Sequence, residues 1–198
     1  MAKGMETRGR ILDTAFRLAA REGLDGLSIA SLAGELGMSK SGLFAHFRSK
    51  EELQLEMLRT ASGHFIDQVM IPSFKQPRGL PRVKALFENW MRWATSPSLP
   101  GGCIFVAAAS ELDDQDGPVR AYVVDQQEEL IQAIARAARL CIEAGHFRRD
   151  LDVDQFAFEV FGLYLGFHHA YRLLREPRAE KRARRAFARL IEDAAVRD

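Results

Sequence analysis

Apolar residues recur every three or four positions along almost the whole chain, which is the spacing of a helix that buries one face. The first such stretch spans residues 6–22 and places Ile11, Ala15 and Ala19 on one stripe. Gly23 follows it, and glycine readily adopts the left-handed conformation that ends a helix. No stretch alternates apolar and polar residues in the manner of a strand, so the pattern predicts an all-α fold.

Two short helices are predicted next, and each follows a serine that can cap it. Ser28 precedes an apolar-periodic stretch that Gly37 interrupts, and Ser39 precedes a second one. Serine caps a helix because its hydroxyl accepts hydrogen bonds from the free N–H groups of the first turn. Two short helices joined by a glycine turn form the sharp corner of a helix-turn-helix, whose second helix can enter the major groove of DNA.

Longer helices fill the rest of the chain. Their predicted spans are 49–69, 81–94, 103–112, 118–144, 153–175 and 177–196. Proline and glycine residues separate them at 72–81 and 96–102, where a helix cannot easily continue. We therefore expect a three-helix DNA-binding domain at residues 1–52, joined by a long helix to a larger helical regulatory domain within residues 53–198.

The composition is that of a globular protein without a general basic field. Hydrophobic residues make up 47% of the chain, charged residues 28%, and the formal net charge is +1. Any charge that binds nucleic acid must therefore be local. Two cysteines are too few for a disulfide framework, and the first residues lack the apolar core of a signal peptide. We expect a cytoplasmic protein with reduced thiols.

The predicted corner carries such a local charge. Residues 38–50 include the cations Lys40, Arg48 and Lys50 and no acidic residue. Lys50 stands beside a predicted helix N-terminus, where backbone N–H groups favour a phosphate. Gly42 inside a helix costs about 1 kcal/mol relative to alanine, which suggests that close approach to DNA compensates for it. Lys3, Arg8 and Arg10 add a basic edge to the N-terminal arm.

The run LSIASLAGELGMSKSGLFAHFRSKEEL at residues 27–53 resembles the DNA-binding domain of the TetR/AcrR family of transcriptional regulators. Residues 10–15 and Gly23 fit the first helix of that family. Phe44 departs from the family pattern, which usually has a tyrosine whose hydroxyl reaches a phosphate. The resemblance implies that a set of residues faces DNA, namely Ser28, Ser39, Lys40, Ser41, Gly42, Phe44, His46 and Lys50.

The resemblance also implies a homodimer that binds a palindromic operator and holds a small-molecule effector of unknown identity. The expected dimer contacts are apolar residues of the last two helices, namely Phe156, Val160, Leu163, Phe167, Phe187, Leu190 and Ile191. The expected pocket lining is mostly aromatic, namely Phe65, Phe87, Trp90, Met91, Cys103, Phe105, Tyr122, Phe161, Tyr164 and His168. Burial of the same side chains in the core of their own domain is the alternative for both sets.

A ligand-released repressor has two alternatives, an enzyme and a redox-sensing regulator. No Ser/His/Asp, Cys/His, paired-carboxylate or phosphate-loop pattern indicates an enzyme. His168 and His169 are adjacent on a helix and point to different sides, so we expect no metal site, and we expect no cofactor. Cys103 follows two glycines at a predicted helix start, where a thiolate is stabilised. A regulator that senses oxidants or electrophiles through Cys103 is therefore the alternative function.

Overall fold

The computed structural model describes residues 2–99 and 101–196, with side chains from Glu6 onward. These residues are almost entirely helical, and their only β-type pairing is a single bridge between Phe147 and Ala195. The predicted all-α fold is therefore confirmed. The helices are α1 (Ala2–Gly26), α2 (Ile29–Leu36), α3 (Lys40–Phe44), α4 (Lys50–Phe65), a π-helix (Ile66–Met70), α5 (Ile71–Phe74), α6 (Leu80–Ala94), α7 (Ile104–Leu112), α8 (Pro118–Glu143), α9 (Val153–Arg172) and α10 (Ala179–Ala194).

Two element boundaries differ from the prediction in ways that matter for the site. Gly23 interrupts α1 without ending it. Its φ of 82° is positive, but its ψ of 171° is far from the left-handed helical value, and helical residues continue to Gly26. The helix predicted over residues 49–69 stops at Phe65 and continues as a π-helix. Short π-helices often occur at functional positions in helices.

The chain divides into two compact units. Unit 1 contains residues up to Phe65 together with Ser96–Gln126, and unit 2 contains Ile66–Thr95 together with the residues from Gln127 onward. The proposed division between residues 52 and 53 stays a prediction. Unit 1 has a core of fully buried apolar side chains, including Ile11, Leu24, Leu27, Leu32, Leu43, Phe47, Leu53 and Met57.

The core of unit 2 is built on stacked aromatic rings. The ring centroids of Trp90 and Tyr164 are 4.1 Å apart, and those of Phe87 and Phe187 are 4.0 Å apart. Phe167 meets the edge of Trp90 at 6.2 Å. These contacts join α6, α9 and α10 into one interior. None of the described helices is long and apolar enough to cross a bilayer.

Candidate nucleic-acid interface and regulatory core

The first helix of the predicted corner is fixed by a reciprocal serine cap. The Ser28 hydroxyl accepts a hydrogen bond from the Ser31 N–H at 3.0 Å, and the Ser31 hydroxyl accepts one from the Ser28 N–H at 3.2 Å. The predicted cap at Ser28 is confirmed, with Ser31 in the place that a glutamate or glutamine usually takes. The half-buried Ser28 side chain thus orders α2, and its contact with DNA stays a prediction.

The turn between the two short helices has the predicted geometry. Gly37 is left-handed (φ 63°, ψ 29°), and the next N–H, that of Met38, reaches back to the Ala33 carbonyl at 3.0 Å. Leu32 and Leu43 are fully buried where the helices meet. The corner is therefore held by both its backbone turn and its apolar wedge.

The second short helix presents its N-terminal residues to solvent. Lys40 and Ser41 are exposed, and Phe44 exposes 52% of its surface. The exposed Ser39 caps the helix by accepting from the Gly42 N–H at 3.1 Å. A Cβ at Gly42 would lie 3.2 Å from the Ser39 hydroxyl oxygen, so glycine at this position also gives the cap room. This is a structural reason for Gly42 that the sequence did not indicate.

Lys50 lies at the start of α4 and is exposed, as a phosphate contact requires. Its ammonium donates to the Asp25 carbonyl oxygen at 3.0 Å, which fixes the position of the charge. An ammonium has three donors, so two remain for another acceptor. The Ser49 hydroxyl accepts from the Glu52 N–H at 3.0 Å and caps α4 as predicted. His46, which follows the end of α3, is half-buried.

Arg8 does not form part of an exposed basic edge, which corrects the sequence-based interpretation. Its guanidinium lies over the Phe47 ring, 4.4 Å from the centroid, and donates to the His46 carbonyl oxygen. It also pairs with Glu52 at 3.8 Å and Glu56 at 3.5 Å. Periodicity could not show this, because the partners lie about forty residues away. Arg10 is exposed, and the Lys3 side chain lies outside the described residues.

In unit 1, one predicted ligand residue belongs to a polar chain. The Tyr122 hydroxyl donates to Ser62 at 2.9 Å, and the Ser62 hydroxyl donates to the Gln126 amide oxygen at 2.7 Å. Ser62 is buried, and neither it nor Gln126 was singled out from the sequence, because isolated polar residues in long helices carry no local signal. Of the other candidates here, Phe65 is half-buried, whereas Cys103 and Phe105 are buried.

The unit 2 candidates fall mainly within the aromatic core. Phe87, Trp90, Met91 and Tyr164 are at most 2% exposed. The Tyr164 hydroxyl is buried and has no hydrogen-bond partner among the described residues. Burial, reinforced by the Glu88 carboxylate, raises the pKa of Tyr164 well above its usual range. A buried hydroxyl without a partner is costly, so it is a group that a ligand could satisfy. The remaining two candidates, Phe161 and His168, are half-buried.

Both cysteines are reduced and buried. Cys103 precedes α7 as its N-cap residue and is 3% exposed. Cys141 lies within α8, where burial raises the pKa of its thiol from 9.0 to about 12. A buried thiol with a raised pKa is a poor nucleophile. No group of three or more potential ligand side chains in the described parts of the chain is arranged to hold a metal ion.

The predicted dimer residues lie mostly inside unit 2, and their part in a dimer interface stays a prediction. Phe156, Val160, Phe167 and Phe187 are at most 6% exposed and leave little surface for a second copy. Leu163, Leu190 and Ile191 are half-buried. The exposed apolar side chains of α9 lie at other positions, among them Phe158 at 69% and Leu165 at 38%.

These features define a helix-turn-helix DNA-binding protein: a capped corner, an exposed reading helix and an acid-free rim. The family model for bacterial regulatory proteins of the tetR family matches residues 11–57. The model for the tetracyclin repressor-like C-terminal domain matches residues 79–187, more than half of the chain. The chain therefore belongs to the TetR family of DNA-binding transcriptional regulators, whose members are regulators and not enzymes.

Relatives and solved structures agree with this assignment. The transcriptional repressor KstR2 of Mycobacterium tuberculosis is 29% identical over 153 residues, which cover 74% of this chain and 72% of KstR2. A TetR regulator from Chloroflexus aurantiacus is 26% identical, with a TM-score of 0.86 over 97% of this chain and 96% of that chain. A regulator from Saccharomonospora viridis, solved in complex with choline, is 27% identical, with a TM-score of 0.81 over 98% and 100% of the two chains.

Proposed function

We propose that this protein is a homodimeric repressor that leaves a palindromic operator when a small molecule binds its C-terminal helical part. The observation that supports operator binding is the exposed N-terminal surface of α3, which has no acidic residue. The relative KstR2, which is described as a repressor, supports the direction of regulation. The choline complex of the Saccharomonospora viridis regulator supports control by a small molecule, without identifying the effector of this chain.

On the DNA side, Ser41 and Phe44 enter the major groove, and Lys40 and Lys50 each meet a phosphate. A lysine that contacts a DNA phosphate adds affinity that does not depend on base sequence, whereas contacts to base edges supply specificity. Phe44 offers a ring and no hydroxyl, so its contact is with thymine methyl groups or sugars. Ser39, Gly42, His46 and Ser28 complete the surface by shaping the approach of the two short helices.

For the homodimer, the exposed face of α9 is a better candidate interface than the mostly buried residues expected from the sequence. Phe158, Gly162, Leu165, His169 and Leu173 are all exposed and recur every three or four residues, so they form one stripe. In an antiparallel pair of α9 helices centred at residues 165–166, Phe158 packs on Leu173 of the second copy. His169 then lies over Gly162 of the second copy, where no side chain obstructs it.

Charge along α9 supports the same antiparallel arrangement. Glu159 stands near the N-terminal end of the stripe and Arg172 near its C-terminal end. The pairing that places Phe158 on Leu173 brings these opposite charges together twice, once on each side of the two-fold axis. Complementary charge at the rim of an interface favours the correct register over others.

For the effector, the Tyr164 hydroxyl is the strongest anchor. It is a buried polar group without a hydrogen-bond partner among the described residues, and Trp90 and Phe87 beside it suit an apolar molecule. Ligand sites combine an apolar lining with a few polar groups in this way. In unit 1, Ser62 with its partners Tyr122 and Gln126 is a separate polar cluster that a ligand of that unit could contact. Release through Cys103 is the weaker alternative because that thiol is buried.

The deciding experiment has two stages. Duplexes are first selected from a random pool by the purified protein at moderate salt, and the enriched sequence is then used to screen compounds that release it. We expect a palindrome to be enriched and at least one apolar compound to weaken binding. Failure to enrich any palindrome would reject the operator, whereas a palindrome that only a thiol reagent releases would favour the Cys103 alternative.

A further inference from the structure

A carboxylate from α7 caps the kink in α1 immediately before the helix-turn-helix. The two oxygens of Glu111 accept hydrogen bonds from the Leu24 N–H at 3.2 Å and the Asp25 N–H at 2.9 Å. These N–H groups belong to the first two helical residues after the kink at Gly23. A charged acceptor at such a position forms stronger hydrogen bonds than a neutral one.

Gly23 makes room for this carboxylate. Its positive φ of 82° favours glycine, and a Cβ there would lie 2.8 Å from Glu111 Oε1. The kink and the carboxylate therefore depend on each other: any side chain at position 23 would occupy the space of the cap. Leu24 and Glu111 are 87 residues apart in sequence, so no local sequence pattern could predict this hydrogen bond.

The carbonyl groups of the same two residues are held from the other side, by α4. The Leu24 carbonyl accepts from the Gln54 side-chain amide at 3.0 Å, and the Asp25 carbonyl accepts from the Lys50 ammonium at 3.0 Å. Hydrogen bonds at both ends of a peptide group polarise one another and strengthen together. Glu111 and Gln54 hold the two ends of the peptide group between Leu24 and Asp25. Lys50, the proposed phosphate contact, bonds the carbonyl of the next peptide group, so the Asp25 backbone connects Glu111 to Lys50.

The segment before α7 also packs tightly on α1. Gly101 approaches the Ala20 carbonyl so closely that a Cβ on the glycine would overlap it. The chain from Ser96 to Gln126, which contains α7, belongs to the same compact unit as the helix-turn-helix. The whole of that segment nevertheless lies within residues 79–187, which match the C-terminal domain of the family. A shift of α7 therefore acts directly on α1.

We propose that Glu111 is a positioning residue for operator binding, which sets the Leu24–Asp25 turn and through it the Lys50 ammonium. Withdrawal of this carboxylate from the turn is the step by which the effector-bound state loosens the DNA-reading helices. This second statement rests on the proposed release by a small molecule, whereas the first can be tested without any effector.

The test compares Glu111→Gln with Asp114→Asn on the selected operator, without effector. Both substitutions remove one negative charge, and Asp114 is exposed on the turn just after α7. Electrostatics alone would make both variants bind DNA slightly more tightly. We expect Glu111→Gln to weaken operator affinity roughly tenfold, since charged hydrogen bonds of this kind are lost, and Asp114→Asn to show no loss. Equal behaviour of the two variants would overturn the proposal.

Two further measurements separate positioning from loss of stability. Hydrogen exchange of the Leu24 and Asp25 amides should accelerate in Glu111→Gln while α9 amides stay protected. In a Lys50→Ala background, Glu111→Gln should cost clearly less affinity than in the wild type, because its route to DNA has been removed; full additivity would contradict that route. Faster exchange with unchanged affinity would reject the inference and leave the repressor function standing, whereas absence of any operator for the wild type would reject both.

Discussion

The Arg8 guanidinium lies 4.4 Å from the centroid of the Phe47 ring, so a charged residue of α1 closes over the residue that follows the reading helix. The same side chain donates to the His46 carbonyl oxygen. Phe47 itself is fully buried. The contact therefore holds the end of α3 against α1, and we expect Arg8 to orient the DNA-reading helix.

Replacing Arg8 with alanine should lower the free energy of unfolding by about 2 kcal/mol, which combines a partly buried cation–π contact and a charged hydrogen bond. Arg10→Ala removes the same charge from an exposed position and should change the stability by less than about 0.5 kcal/mol. Urea unfolding followed by circular dichroism measures both. Equal stability of the two variants would show that Arg8 does not hold α3.

The lysines of the proposed interface should make the operator affinity depend on salt concentration. Each phosphate contact contributes about 0.9 to the slope of log affinity against log salt. Lys40→Ala and Lys50→Ala should therefore each flatten the slope by about 1.8 in a dimer, which loses two contacts. Lys84→Ala, an exposed lysine of α6, is the charge-matched control and should leave the slope unchanged. Titrations of a labelled operator at several salt concentrations decide the matter.

The exposed face of α9 can be tested by introducing charge. Leu165→Glu places a carboxylate beside the two-fold axis of the proposed antiparallel pair, opposite Gly166 and next to the same carboxylate of the second copy. It should give a monomer with much weaker operator binding. Ile66→Glu changes a comparably exposed apolar residue of the π-helix, 46% against 38%, and should stay dimeric. Sedimentation velocity distinguishes the species. If Leu165→Glu remains dimeric, the dimer interface lies on another surface.

The Cys141 thiol should make stability depend on pH in the alkaline range. Burial raises its pKa from 9.0 to about 12, so the unfolded chain loses this proton before the folded chain does. The thiol therefore favours the folded state fully below about pH 9, and this contribution is lost as the pH rises toward 12. Between about pH 8.5 and about pH 10, the free energy of unfolding of Cys141→Ala should fall less steeply with pH than that of the wild type. Parallel declines would show that the thiol is accessible.

The sequence alone predicted the corner of the helix-turn-helix because all its determinants are local. Ser28, Gly37 and Ser39 each act on backbone groups within four or five residues, and capping chemistry can be read from such spacing. The register match with the TetR family added the set of residues expected to face DNA. Helical periodicity likewise sufficed for the all-α fold, although it did not distinguish the π-helix after Phe65 from the end of α4.

Only the tertiary structure decided which contacts cross between distant segments and which face of α9 is exposed. Arg8 on Phe47 and Glu111 on Leu24 join residues 39 and 87 positions apart, where no local pattern reports proximity. Along α9 both Phe156 and Phe158 are apolar, so hydrophobic periodicity cannot choose between opposite faces. Packing against α6 and α10 makes that choice: it buries Phe156 and leaves Phe158 exposed.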